Sequence, residues 1–144
     1  VFGPAVLEGY ELLFRGNSSR GSGVATITPK EDSRVYGLLW RITPGNEQSL
    51  DIYEGYPSLY EKETLRVRTP NGRSFAVMAY VMTNERLRVP SPPSLRYYNG
   101  IKEGFIENDL PLEPLREALQ HCYKEISALD KQADKQPKTK GQER

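Results

Sequence analysis

The stretch from Thr64 to Met82 leaves this chain the least freedom. Leu65 and Val67 alternate with Arg66 and Arg68, the period of a strand with one face turned to a core. Pro70-Asn71-Gly72-Arg73 follows, and Asn-Gly supplies the positive φ angles of a tight hairpin turn. Phe75 to Met82 returns as a nearly all-apolar run, the pattern of a strand buried on both faces. The chain is therefore committed to an antiparallel hairpin in its middle.

The residues before it are also β-rich. Leu7 to Phe14 reads as a strand, and Arg15 to Ser22 as a polar, Gly/Ser-rich loop. Gly23 to Thr28 is a short strand ended by Pro29, and Lys30 to Ser33 a charged turn. Val35 to Ile42 is the best strand, with Tyr36, Leu38, Trp40 and Ile42 on one face.

Beyond Met82 the pattern changes. Pro90-Ser91-Pro92-Pro93 is a rigid, extended break. A helix is expected from about Ser94 to Glu107, and a second one opens at Leu110-Pro111. On the second, Leu112, Leu115, Leu119, Cys122, Ile126 and Leu129 recur three and four apart, a narrow apolar stripe. Packing on the sheet is the plain explanation of that stripe, and a homodimer seam is the alternative. From Asp130 onward the chain is polar and Lys/Gln-rich, so a disordered tail is expected. The organisation is one α+β domain over 1–129 and a tail over 130–144, without internal repeats.

Composition excludes several classes of function. A chain of 144 residues with net charge +1 is a poor candidate for nucleic-acid binding by phosphate neutralisation. Cys122 is the only cysteine, so no internal disulfide forms and a reducing, cytoplasmic setting is expected. No apolar run approaches the ~18 residues that span a membrane, and no secretory signal is visible at the N-terminus. His121 is the only histidine and lies on the last helix, far from any serine-rich turn, which argues against a Ser-His-Asp triad. One His beside one Cys is no zinc site. There is no P-loop and no Gly-x-Gly-x-x-Gly after a strand. Any chemistry must rest on carboxylate, tyrosine and backbone groups.

The segment from Leu50 to Tyr60 offers such a carboxylate. Thr43-Pro44 fits a helix start, and Gly55 fits the left-handed residue that closes a helix. Glu54 then ends the helix and shares a face with Leu50, which should point to the core. Partial burial and the negative end of the helix dipole both disfavour the charged form, so its pKa should rise. A general base working near neutral pH needs that. The same spacing also fits an ordinary solvated Glu at a helix end.

Taken in order, several segments are together fairly specific. They are Gly9-Tyr10-Glu11-Leu12-Leu13-Phe14, Gly23 to Ile27, Val35-Tyr36-Gly37-Leu38-Leu39-Trp40, and Leu50-Asp51-Ile52-Tyr53-Glu54-Gly55-Tyr56 through Tyr60. Ala79 to Asn84, Pro90-Ser91-Pro92, Tyr97 and Gly104 to Pro111 complete the set. The chain resembles the gamma-glutamylcyclotransferase-like family from about Gly3 to Leu119. The resemblance implies a small mixed β-barrel with flanking helices. It implies an enzyme that turns a small γ-glutamyl amine or amino acid into 5-oxoproline and a free amine, without cofactor or metal. Glu54 matches the family's acid/base Glu. Tyr60 and Tyr97 match pocket tyrosines, and Gly55 belongs to the substrate-binding turn. For each tyrosine, core or rim packing is the competing role. The two hydroxyls are expected to flank the Glu54 carboxyl in one cavity floored by backbone from Leu13 to Gly16.

One departure stands out. The family opens with a strand and turn reading Tyr-Gly-Ser-Asn-Leu, which nothing here matches. Arg15-Gly16-Asn17-Ser18 is only superficially similar, and the match places the family segment ahead of Val1. The chain thus looks like a member lacking its first strand and helix, with one open sheet edge and little expected turnover by itself. A non-catalytic domain of the same fold, binding a ligand or a protein, is the second function class.

Overall fold

The computed structural model describes residues 3–16, 23–54, 56–58, 60–83 and 89–135; of Tyr53, Glu54 and residues 132–135 it describes the backbone. The strands are β1 (Gly3–Arg15), β2 (Val24–Leu39), β3 (Tyr60–Arg68) and β4 (Ser74–Met82). The helices are α1 (Pro44–Glu54), α2 (Leu95–Glu107) and α3 (Glu113–Lys135). The strands form one antiparallel sheet in the order β2-β1-β3-β4. The sheet is curled. Met82 on one edge strand donates its amide to Thr26 Oγ1 on the other, at 3.2 Å. This is the expected α+β architecture.

The hairpin forms as the sequence predicts. Leu65 and Val67 are buried, and Gly72 takes φ 87° in the turn between β3 and β4. They pack with Ala5 and Leu7 of β1 in one core cluster. On β1 the inward face runs Ala5, Leu7, then Tyr10, Leu12 and Phe14. The shift from odd to even positions falls at a bulge, where Gly9 takes φ 81°. Phe14 carries the second cluster, with Phe105 of α2 and Leu115, Ala118 and Cys122 of α3.

Four expectations change. Lys30 to Ser33 is not a reversal. Glu8 pairs with Arg34 and Tyr10 with Pro29, so residues 30–33 bulge out of one long strand whose two flanks share β1 as partner. The strand that was to reach Ile42 stops at Leu39, which pairs with Gly3, the first described residue of β1; Trp40 is left 65% exposed. On β4 only Val81 and Met82 are buried, because among the described residues that strand pairs with β3 alone. The last helix begins at Glu113 and runs to Lys135, past the expected end at Leu129; residues 136–144 lie outside the described residues. Lys, Gln and Ala are strong helix formers, so losing the apolar stripe does not end the helix. The stripe itself, from Leu112 to Ile126, packs on the chain's own core. No helix among the described residues is long and apolar enough to cross a membrane.

The extended Pro-rich segment closes one end of the sheet. Gly16 donates its amide to Val89 O at 3.1 Å, Ser91 to Phe14 O at 3.2 Å, and Gly23 to Pro92 O at 2.8 Å. A Cβ at Gly23 would lie 1.9 Å from the Ser91 carbonyl oxygen, and Ser91 is buried. Gly23→Ala is therefore expected to destabilise the protein by about 1–3 kcal/mol, the range for overpacking. The urea midpoint reads it. An unchanged midpoint would show that residues 89–93 can move aside freely.

Candidate functional site

Local chemistry fixes α1. Thr43 Oγ1 accepts from Asn46 N at 3.1 Å, and Asn46 Oδ1 accepts from Thr43 N at 3.0 Å. This is a reciprocal cap with Asn in the place usually held by Glu or Gln. Pro44 takes the first helical position, where its missing N–H costs nothing. At the other end Tyr56 N donates to Asp51 O at 3.0 Å, the long bond of a Schellman-type terminator. The helix thus starts and stops where the sequence predicts, with Glu54 as its last residue.

The helix is held to the outer face of the β3–β4 hairpin by a polar cluster. Glu47 and Asp51 are four apart and share one face of α1. Lys62 and Tyr80 are direct cross-strand partners. Lys62 Nζ lies 2.6 Å from Glu47 Oε2 and 3.0 Å from the Asp51 carboxylate. Tyr80 donates its hydroxyl to Asp51 Oδ1 at 2.5 Å. The Lys62 ammonium also stands 4.4 Å from the centre of the Tyr56 ring. The Tyr80 hydrogen bond is the main cause of a lowered Asp51 pKa; burial opposes it, and the hydrogen bond and charge of Lys62 add to the lowering. Hydrogen bonds to Glu47 and Asp51 raise that of Lys62. Burial, then the bond to Asp51, pushes the Tyr80 phenol up to about 12.

These shifts have a sign in stability. A depressed Asp51 pKa gives stability that is present above the ordinary carboxylate pKa of 3.8 and lost as pH falls. A raised Tyr80 pKa gives stability that is present below 10 and lost as pH climbs toward 12; Lys62 acts in the same sense above 10.5. Asp51→Asn should therefore flatten the acid limb of a stability-against-pH curve and Tyr80→Phe the alkaline limb. Curves that superimpose on the parent would show that the cluster does not hold in solution.

Of the other residues singled out from the sequence, Tyr60 and Tyr97 lie on different elements, and no described pocket contains both. Tyr60 opens β3, is half-buried and pairs with Met82. It lies two residues from Lys62, hence on the same strand face, the one α1 covers. Tyr97 stands in the first turn of α2, whose N-cap Ser94 accepts from Tyr97 N at 3.1 Å. Its hydroxyl accepts from Ala25 N at 3.0 Å. Ala25 is the neighbour of Thr26, which receives the Met82 amide. Strand pairing, chain adjacency and two backbone-to-side-chain hydrogen bonds therefore link Tyr60, Met82, Thr26, Ala25 and Tyr97 in series. Gly55 and the Glu54 side chain lie outside the described residues. A cleft of about 940 Å³ opens beside the polar cluster. It runs between the end of β2 and β4, is lined by Leu39, Trp40, Ile42, Leu50, Phe75 and Val77, and includes neither Tyr60 nor Tyr97. Among the described residues its lining also includes Asn46, Ser49 and Tyr80 but holds no carboxylate or histidine. The sequence reasoning passed over Lys62, Tyr80, Glu47 and Asp51. The four-residue spacing of the two acids was the one local signal for them.

The family described as "Gamma-glutamyl cyclotransferase, AIG2-like" matches residues 1–99. A gamma-glutamylcyclotransferase of Homo sapiens is 34% identical over 115 residues, covering 76% of this chain and 60% of the relative. One of Mus musculus is 36% identical over 103 residues, covering 69% and 53%. The chain thus spans at most 60% of the length of these curated relatives. A solved structure called a gamma-glutamyl cyclotransferase superposes with TM-score 0.70 at 33% identity, over 81% of this chain and 71% of that one. YkqA from Bacillus subtilis shares the fold, with TM-score 0.70 at 23% identity over 85% of this chain and 44% of its own.

Proposed function

Because the chain belongs to the gamma-glutamyl cyclotransferase, AIG2-like family, we propose that it converts a small γ-glutamyl amine or amino acid into 5-oxoproline and the free amine. The observation that carries this reading is α1. It is a helix capped at Thr43, closed at Tyr56 and ending on Glu54, a few residues before Tyr60 on the covered face of the hairpin.

The chemistry needs little beyond a base and a mould. The substrate's α-amine nitrogen attacks its own γ-carbonyl carbon. A C–N bond closes the lactam ring, and the C–N bond to the departing amine breaks. Nucleophile and electrophile sit in one molecule, so the protein's task is to fold the glutamyl chain into a near-attack shape. In this reading the Glu54 carboxylate takes a proton from the α-ammonium and gives it to the leaving nitrogen; the second proton, lost by the attacking nitrogen as the lactam forms, follows the same path, so the amine departs as an ammonium and the carboxylate is restored. Tyr60 and Tyr97 hold the α-carboxylate or the amide, and Gly55 contributes to substrate binding.

Incubation with a panel of γ-glutamyl amines and amino acids, followed by assay for 5-oxoproline, tests the proposal. Slow but detectable release from at least one member is expected. Tight binding of a γ-glutamyl compound without any 5-oxoproline would favour a binding domain of the same fold.

A further inference from the structure

Glu54 is the last residue of a short helix, a position where helices fray. A base that must meet a proton donor within hydrogen-bond reach cannot fray. The groups just before and just after it are tied to a single side chain. Asp51, three residues earlier, presents its carboxylate to Lys62 Nζ at 3.0 Å and to the Tyr80 hydroxyl at 2.5 Å. Tyr56, two residues later, lies under the same ammonium at 4.4 Å. Asp51 and Tyr56 are also bonded to each other through the backbone, at 3.0 Å. Lys62 and Tyr80 are opposite one another on two paired strands, so their spacing is set by the sheet.

We infer that Lys62, Tyr80 and Asp51 are positioning residues that clamp the last turn of α1 to the β3–β4 hairpin and so fix the place of Glu54 at the helix end. None of the three needs to touch substrate. The inference rests on the reading of Glu54 as the base. It adds that the sheet, rather than the helix, sets the base's place. A helix held by packing alone would carry apolar residues on its inner face. Here the contact at the hairpin is an ammonium, a phenol and two carboxylates.

The test compares Lys62→Met, Asp51→Asn and Tyr80→Phe with the parent protein, at a temperature where melting curves show each fully folded. Two readouts are used. The first is amide hydrogen exchange over residues 50–56. Each substitution is expected to speed exchange there about tenfold or more, leaving α3 unchanged. The second is 5-oxoproline release from γ-glutamyl-alanine and γ-glutamyl-butylamine. A misplaced base should lower kcat by about ten- to a hundredfold with KM within about twofold. The Asp51→Asn/Tyr80→Phe double variant should be little worse than the worse single one, because both break one clamp. A purely structural role predicts additive losses that follow the melting temperature. Unchanged exchange in all three variants, or unchanged kcat in an active protein, overturns the clamp. If the parent protein releases no 5-oxoproline from either probe, the cyclotransferase reading fails, and exchange over residues 50–56 still decides whether the clamp exists.

Discussion

Glu54→Gln should lower 5-oxoproline release by about 10²- to 10⁴-fold while leaving the fold intact, the range that general-base catalysis contributes. Glutamine keeps the size of the side chain and can still accept a hydrogen bond, but it cannot take a proton at neutral pH. The helix that carries it should survive. Its start is held by the Thr43–Asn46 cap and its end by the Tyr56–Asp51 bond, and neither uses the Glu54 side chain. Circular dichroism and the melting temperature of the Gln variant should therefore match the parent. The loss should appear in kcat, since the base acts on a substrate already bound. A folded Gln variant with near-normal turnover would remove Glu54 from the mechanism and leave the reaction to another group.

That prediction could be framed from the sequence because the ends of α1 are local events. A Thr-Pro start and a Glu-Gly end are read within a few residues, and the structure returns Pro44–Glu54. The Asn71-Gly72 hairpin is equally local, and Leu65 and Val67 are buried as their alternation requires. What sequence could not decide were pairings across the chain. Lys30 to Ser33 reads as a turn on its own. It becomes an excursion within β2 only because Glu8 and Tyr10 take partners on both sides of it. The apolar run of β4 reads as buried on both faces, yet the sheet order puts it at an edge. Trp40 continues the apolar pattern of β2, but the pairing among the described residues ends one position before it, at Leu39 with Gly3. For the site, Glu54, Tyr60, Tyr97 and Gly55 came from likeness to a family. The clamp was invisible because it joins two residues of a helix to a cross-strand pair 11 to 33 positions away in sequence. No motif carries such a contact.

The other large effect is expected where α3 meets the sheet, and it concerns stability alone. Arg15, the last residue of β1, has a side chain only 11% exposed, and its Nη2 lies 2.5 Å from Glu125 Oε2 on α3. The two are 110 positions apart, so the pair is tertiary in the full sense. Beside it Cys122 donates its thiol to Phe14 O at 3.6 Å, and His121 Nε2 stands 3.7 Å from Glu125 Oε1. A surface pair would contribute at most about 1 kcal/mol. Removing one partner of a buried pair leaves a charge without compensation and costs about 3–5 kcal/mol. Glu125 is 27% exposed and so reaches some water, which puts Glu125→Ala near the low end, about 3 kcal/mol. Arg15→Met should cost less, because the carboxylate left behind is the more exposed member. The double change Arg15→Met with Glu125→Leu should recover much of the loss, since well-packed apolar groups replace a buried ion pair at little cost. Urea unfolding of the three variants measures this. If Glu125→Ala costs less than about 1 kcal/mol, the pair behaves as a solvated surface contact, and the apolar stripe from Leu112 to Ile126 holds α3 by itself.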